Sequence, residues 1–304
     1  MNILITGGTG AIGRALIATL TQESNQSITV LTRNIENAKK LLGEQLDYTS
    51  TLTLDLIEQQ DVIINLAGEP IADRRWSNYQ KEKICQSRWL LTKQLSALIQ
   101  QAKNPPNCFI SGSAIGMYGR QNQQIITESF TDYHPEFSHQ LCQQWEQLAL
   151  SASNNNNNNQ QHTRVCLLRT GIVLNKGFGA LKQMLPAFKL GLGGPMANGE
   201  QIMSWIDIED MVNAIIFIIE HPQLYGAINM TAPTPVSNKE FSQTLAQTLH
   251  RPCLVKLPKW LLQLLFGEMA DLLIYGQHVV PQKLLDAGFT FKHNTLASSL
   301  AAQT

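Results

Sequence analysis

The stretch Asn2-Ile3-Leu4-Ile5-Thr6-Gly7-Gly8-Thr9-Gly10-Ala11-Ile12-Gly13-Arg14-Ala15-Leu16-Ile17 joins an apolar β-branched run, a glycine-rich turn and a segment with helical spacing of its apolar positions. Strand, tight turn and helix follow in that order. Gly7, Gly10 and Gly13 make G-x-x-G-x-x-G between sheet edge and helix start. Gly7 permits the turn, Gly10 lets the backbone approach a diphosphate, and Gly13 lets the helix sit close to the sheet. The helix N-terminus adds free N–H donors and partial positive charge. Thr9, Ala11 and Ile12, threaded between these glycines, share the cofactor-binding assignment.

The rest of the chain continues the alternation. Ile28 to Leu31, Tyr48 to Leu54 and Val62 to Leu66 read as strands, and Ser77 to Gln101 as a long helix ended by Asn104-Pro105-Pro106. Cys108 to Ile110 and Arg164 to Arg169 are further short apolar strands, separated by a helix centred on Leu141, Trp145 and Leu148. Strands spaced by helices predict an α/β, Rossmann-type doubly wound parallel sheet. The polar run Asn154 to Gln161 reads as a solvated loop. Asp207 to Glu220 and Ser237 to Leu249 read as helices around a strand at Ala227 to Met230, and the tail is helical near Trp260 to Phe266. These readings predict a dinucleotide-binding domain over 1–175, with 200–232 contributing. A smaller, mostly helical substrate-side lobe is expected over 176–304, its last part being 250–298.

Length and charge exclude several classes. The 304 residues are enough for such a domain and a second lobe, and 43% of them are hydrophobic. Lys+Arg 23 balance Asp+Glu 23, so no global field collects nucleic acid or anionic lipid. No apolar stretch is long enough to span a bilayer, and no leader pattern precedes Asn2, so a cytoplasmic protein without membrane or nucleic-acid partners is expected. Five cysteines stand singly, without metal-ligand spacing, and read as buried apolar residues; no metal is expected.

At the end of the second strand stands Leu31-Thr32-Arg33-Asn34, where an acid would accept bonds from the adenosine ribose of NAD. Arg33 instead offers a planar set of donors that suits a 2′-phosphate, and Thr32 adds a hydroxyl, so NADP(H) is the expected cofactor. Leu66-Ala67-Gly68-Glu69 follows the fourth strand at the carboxyl edge, where small residues leave room for cofactor. Glu69 reads as a ribose acceptor, as a group orienting Arg74 or Arg75, or as a helix-start acid. Arg74 and Arg75 read as phosphate or ribose contacts or as solvated surface. Arg169 ends its strand at the crevice rim, where pairing with Asp207 or Asp210 is one reading.

Gly7, Gly10, Gly13, Asn65 to Gly68 and Ser111 to Ala114 before Tyr118-Gly119 together resemble the extended short-chain dehydrogenase/reductase superfamily. Leu66 to Ile71, Ser87-Arg88, Leu190 to Pro195, Trp205 to Asp207, and Pro281 with Gly288-Phe289 look more closely like the NAD-dependent epimerase/dehydratase-like family with a small C-terminal domain, once mislabelled cell-division inhibitors. The resemblance runs nearly end to end. It implies NADP(H) binding and leaves the reaction unassigned. The wider superfamily resemblance also implies a nicotinamide or substrate contact for Arg169, with pairing to Asp207 or Asp210 as the alternative. In active superfamily members a serine after the fifth strand and a Tyr-x-x-x-Lys on the next helix hold the reacting oxygen. Ser113 matches the serine, but the helix carries Ser138-x-x-x-Cys142 at the matching spacing, and neither residue replaces a phenol or an ammonium. Tyr118 is the nearest phenol, and His139, with an intrinsic pKa of about 6.5, is an alternative proton-transfer group. Ser113, Tyr118 and His139 are therefore the catalytic candidates.

Two functions fit. One is an NADP(H)-dependent oxidoreductase or epimerase acting on a small hydroxyl, carbonyl or sugar-nucleotide substrate, as a monomer or homodimer. The other is an NADP(H)-binding sensor or scaffold with weak or no hydride transfer.

Overall fold

The computed structural model describes residues 1–22, 26–121, 123–153 and 162–304. Among them, one sheet holds seven parallel strands: β1 (Asn2–Thr6), β2 (Ser27–Leu31), β3 (Asp47–Thr49), β4 (Val62–Asn65), β5 (Cys108–Ala114), β6 (Arg164–Thr170) and β7 (Gly226–Met230). Their order is β7-β6-β5-β4-β1-β2-β3. The chain winds outward from β1 in one direction, then from β4 in the other, so a crevice opens at the carboxyl ends of β1 and β4.

Period-two alternation assigns the two faces of the sheet. Ile3 and Ile5, Val62 and Ile64, and Cys166 and Leu168 point to one layer. There they meet Leu16, Ile17 and Leu20 of α1 (Ala11–Leu20). Leu4, Ile63, Phe109 and Leu167 point to the other, against Leu95 and Ile99. The helices that carry the site are α2 (Ile35–Leu42), α3 (Asn78–Gln101) and α4 (Phe137–Leu150). A separate core joins α5 (Gly179–Lys189) and α7 (Asn238–Thr248) to Trp205 and the C-terminal α9 (Leu296–Gln303). Between these in sequence lie α6 (Ile208–Glu220), which packs on the sheet, and α8 (Lys259–Phe266), which covers a small cluster with Ile274.

The fold is thus the doubly wound Rossmann-type sheet that the alternation predicted, with a helical lobe beside it. One element differs. The third strand is three residues long rather than Tyr48 to Leu54, because Thr53 accepts the Leu56 N–H and turns Leu54 to Glu58 into a short helix. Four cysteines are buried and Cys253 is partly so. Residues 154–161, read from sequence as a solvated loop, lie outside the described residues. No helix among the described residues is long and apolar enough to cross a membrane.

Candidate functional site

The turn after β1 is built by close approach. Gly7 has φ +71°, and a Cβ there would sit 2.6 Å from the Leu66 carbonyl carbon; one on Gly13 would sit 2.4 Å from the Gly7 oxygen. Gly10 donates its N–H to Gly7 (2.9 Å), closing the turn. Whereas Asn34 and Ser77 cap α2 and α3 with their side chains, α1 starts at Gly10 with no side-chain cap and no acid in its first turn. Its leading N–H groups are left to whatever fills the crevice.

Gly7, Gly10, Ala11, Ile12, Gly13 and Leu66 line a cavity of about 730 Å³. Thr9 is half-buried beside it. Ala67 donates its N–H to the Thr6 hydroxyl (3.3 Å), which donates to Asn65 (2.7 Å). Asn65 and the Trp145 indole both donate to Thr92 on α3 (2.9 and 3.0 Å). This buried chain of polar groups fixes the Leu66–Gly68 loop against the turn, and nothing in the sequence pattern had singled out Thr92.

Arg33 is exposed beyond β2, and among the described residues it makes no hydrogen bond or ion pair. The Thr32 hydroxyl beside it accepts the Asn34 N–H (3.3 Å). Arg74 and Arg75 are exposed on the loop before α3. Glu69 orients neither of them: it pairs with Lys83 (2.7 Å), and that hydrogen bond holds its carboxyl below the usual range.

Ser113, the penultimate residue of β5, lines the cavity, and behind it lies a buried ion pair. Ser113 donates to Glu146 Oε1 (2.6 Å), while Arg169 reaches Oε1 through Nε (2.9 Å) and Oε2 through Nη2 (2.8 Å). The in-register pairing of Ser113 with Arg169 across β5 and β6 aligns the three. Burial works against the guanidinium charge, but the Glu146 carboxylate more than offsets it and raises the Arg169 pKa. Arg169 therefore stands behind the wall, away from the rim, and its partner is Glu146 rather than Asp207 or Asp210. Asp207 instead accepts from Glu209 and Ser299.

Two catalytic candidates are elsewhere. Tyr118 is fully buried; its hydroxyl donates to Asn229 on β7 (2.6 Å), and burial pushes its pKa up to about 12. A short 3-10 turn, Ile115–Tyr118, carries the ring under the sheet edge instead of into the cavity. His139 is also buried, its Nδ1 2.6 Å from the Met117 carbonyl and its ring stacked on Tyr133. Ser138 and Cys142 do line the cavity. Ser138 donates to Glu136 (2.6 Å), and burial pushes the Cys142 thiol up to about 12. Glu146 escaped the sequence reading, although its signal was present: with Ser138 and Cys142 it completes an i, i+4, i+8 stripe, a charge on the inward face of α4.

The opposite wall comes from the helical lobe. Leu192, Gly193 and Gly194 of the glycine-bearing loop, together with Met203 and Ser204, face the turn and Ser113 across the cavity. Trp205 does not; it is fully buried in the lobe's core. Arg120 joins the two sides, pairing with Glu136 (2.9 Å) and with Asp271 (3.0 Å) over the Tyr275 ring.

Known proteins share this architecture. A model described as NAD dependent epimerase/dehydratase family matches residues 3–230, and a domain of unknown function, DUF1731, matches residues 257–303. Epimerase family protein ML0860 of Mycobacterium leprae is 36% identical over 99% of this chain and 95% of its own. The chloroplastic epimerase family protein SDR39U1 homolog of Arabidopsis thaliana is 34% identical, covering 99% of this chain and 86% of its own. The crystal structure of human epimerase family protein SDR39U1 (isoform 2) with NADPH is 29% identical, with a TM-score of 0.86 over 100% of this chain and 99% of the human one. With its glycine turn, its doubly wound sheet and the small lobe that closes the cavity, the chain belongs to the NAD dependent epimerase/dehydratase family.

Proposed function

We propose that this protein binds NADP(H) along the crevice and uses it on a small hydroxyl, carbonyl or sugar-nucleotide substrate held against Ser113. One observation carries the reading: the uncapped start of α1 and Ser113 open into the same cavity, which a second lobe roofs. Residues 1–175 with 200–232 act as the cofactor domain and 176–304 as the substrate side, in a cytoplasmic monomer or homodimer without nucleic-acid or membrane partners.

The residues suit that cofactor. Free N–H groups at Ala11 to Gly13 take a diphosphate, the Leu66–Gly68 loop lies alongside, and Arg33, with no partner among the described residues, is available to a 2′-phosphate. Thr9, Thr32, Arg74 and Arg75 are assigned to further cofactor contacts in this reading, while Glu69 and Arg169 are engaged with Lys83 and Glu146. Bound there, NADP(H) supplies the hydride donor or acceptor. Because the Ser113 proton is directed at Glu146, its oxygen lone pairs are free to accept a bond from a substrate hydroxyl. The carboxylate behind it is placed to receive the serine proton if the substrate passes its own to Ser113.

The second reading, a sensor or scaffold, is favoured by Ser138 and Cys142 standing where a phenol and an ammonium would be. Multi-turnover reduction by the purified protein would set it aside. The cofactor assignment is tested by calorimetric titration of NADPH and NADH. The wild type is expected to prefer NADPH, and Arg33→Ala to weaken NADPH by about tenfold or more, as for a lost charged contact, with NADH little changed. Equal losses for both coenzymes would remove Arg33 from the 2′-phosphate.

A further inference from the structure

Among the described residues four charged side chains line the cavity, and three of them form one paired cluster with a net charge of −1, in which Arg120 bridges Glu136 and Asp271. The fourth is Arg88, on α3. Among the described residues no carboxylate lies within ion-pair distance of it, since Glu69, the acid whose charge it senses, is taken by Lys83. Only one of its nitrogens is committed: Nη1 donates to the Ile84 carbonyl (3.1 Å) and, weakly, to the Ser87 hydroxyl (3.4 Å). Nε and Nη2 make no hydrogen bond within the described residues. Burial pulls the guanidinium pKa down, so its charge stands there at a cost.

The surroundings hold the group flat. The guanidinium lies over the Trp145 ring, 5.2 Å from its centroid. A Cβ built on Gly68 would sit 2.9 Å from Cζ, nearer than to Nη2 (3.1 Å) or Nε (3.2 Å). That order of distances is a contact with the face of the plane and not with its edge. Gly68 thus gives room for the plane, and the edge bearing Nε and Nη2 keeps its two parallel donors. Such a fork matches two oxygens of one carboxylate or phosphate.

We propose that Arg88 is the anion-holding residue of the inner cavity, gripping an oxyanion in two-pronged fashion through Nε and Nη2. The oxyanion is either a carboxylate or phosphate of the substrate or the diphosphate of the cofactor; both present the same chemistry. The inference rests on the reading of this cavity as the ligand site, and the test separates the two.

Three probes suffice: NADPH, adenosine 2′,5′-bisphosphate and inorganic phosphate. Each is titrated into wild type and Arg88→Gln, phosphate both with and without saturating NADP⁺. If the cofactor supplies the oxyanion, Arg88→Gln weakens NADPH by about tenfold or more, and adenosine 2′,5′-bisphosphate, which keeps only the adenosine-side phosphate, is weakened alike if that phosphate is the one held and left unchanged if the other is. If the substrate supplies it, NADPH binds as before, and phosphate binding to the NADP⁺-loaded protein falls by a similar factor. Should Arg88→Gln not fold, Arg88→Lys, which keeps charge without the fork, and Gly68→Ala, which presses a methyl group on the plane, are expected to move the same readout in the same direction. Folded variants that bind NADPH and phosphate as the wild type does would overturn the proposal. Arg88-dependent phosphate binding by a protein that takes no NADPH would instead sink the cofactor reading and leave Arg88 its role.

Discussion

Among the described residues, Glu146 and Arg169 form the most deeply buried ion pair. Both are about nine-tenths or more buried, and two hydrogen bonds join them while Ser113 adds a third. Among the described residues Arg169 Nη1 has no hydrogen-bond partner, so apart from the Tyr118 ring beneath it the guanidinium depends on Glu146 for its compensation. Removing the carboxylate leaves an unpaired buried cation, and Glu146→Ala is expected to cost about 3–5 kcal/mol in urea unfolding. The double variant Glu146→Leu with Arg169→Met should cost much less than the sum of the two single variants, because it removes both charges. A loss from Glu146→Ala of under about 1 kcal/mol would show that water already reaches the pair. At this scale the sequence was least legible. Ser113, singled out through the resemblance, does line the cavity, because a strand end fixes where its side chain emerges. Tyr118 and Arg169 were misplaced because their partners, Asn229 and Glu146, lie 111 and 23 residues away, and no local pattern reports where such side chains turn.

The elements were legible in proportion to how local their causes are. The glycine turn needs only residues 7–13, and the alternation of apolar runs with helical spacing is local too; both were readable. The strand Asp47–Thr49 was not, because a single hydroxyl, Thr53, decides whether the chain extends or coils. The same locality makes the turn easy to break in a graded way. A methyl group on Gly13 would meet the backbone oxygen of Gly7 at 2.4 Å and the Cα of Gly8 at 2.7 Å, atoms that move only if the turn opens. On Gly10 it would meet that oxygen at 3.2 Å, a contact that a small shift relieves. Gly13→Ala is therefore expected to destabilise the protein by about 1–3 kcal/mol, as overpacking does, and to abolish NADPH binding. Gly10→Ala should lower affinity with little change in thermal stability. Equal melting temperatures for the two variants would mean that α1 is free to slide along the sheet.

Across the whole molecule, the helical lobe is tied back to the sheet by polar groups far apart in sequence, which is why its presence was readable and its docking was not. Glu128 is such a tie: it accepts the backbone N–H of Asn229 on β7 (3.0 Å) and that of Lys283 in the tail (3.3 Å). Burial raises its carboxyl pKa, outweighing both N–H bonds and the nearby Lys283 ammonium, whose own pKa burial lowers. A carboxyl whose folded pKa lies above the unfolded value binds its proton more tightly when folded. Its contribution to stability is full below the ordinary carboxyl pKa and declines as pH rises through the folded one. Glu128→Gln keeps an oxygen for the Asn229 N–H and has nothing to ionise. The variant should therefore melt above the wild type at pH 7.5, with the difference shrinking as pH falls towards 4. A gap that stays constant with pH, or opens as acid is added, would mean that the Lys283 ammonium and the two N–H bonds outweigh the burial of the charge. Glu128 would then hold sheet and tail together as an anion.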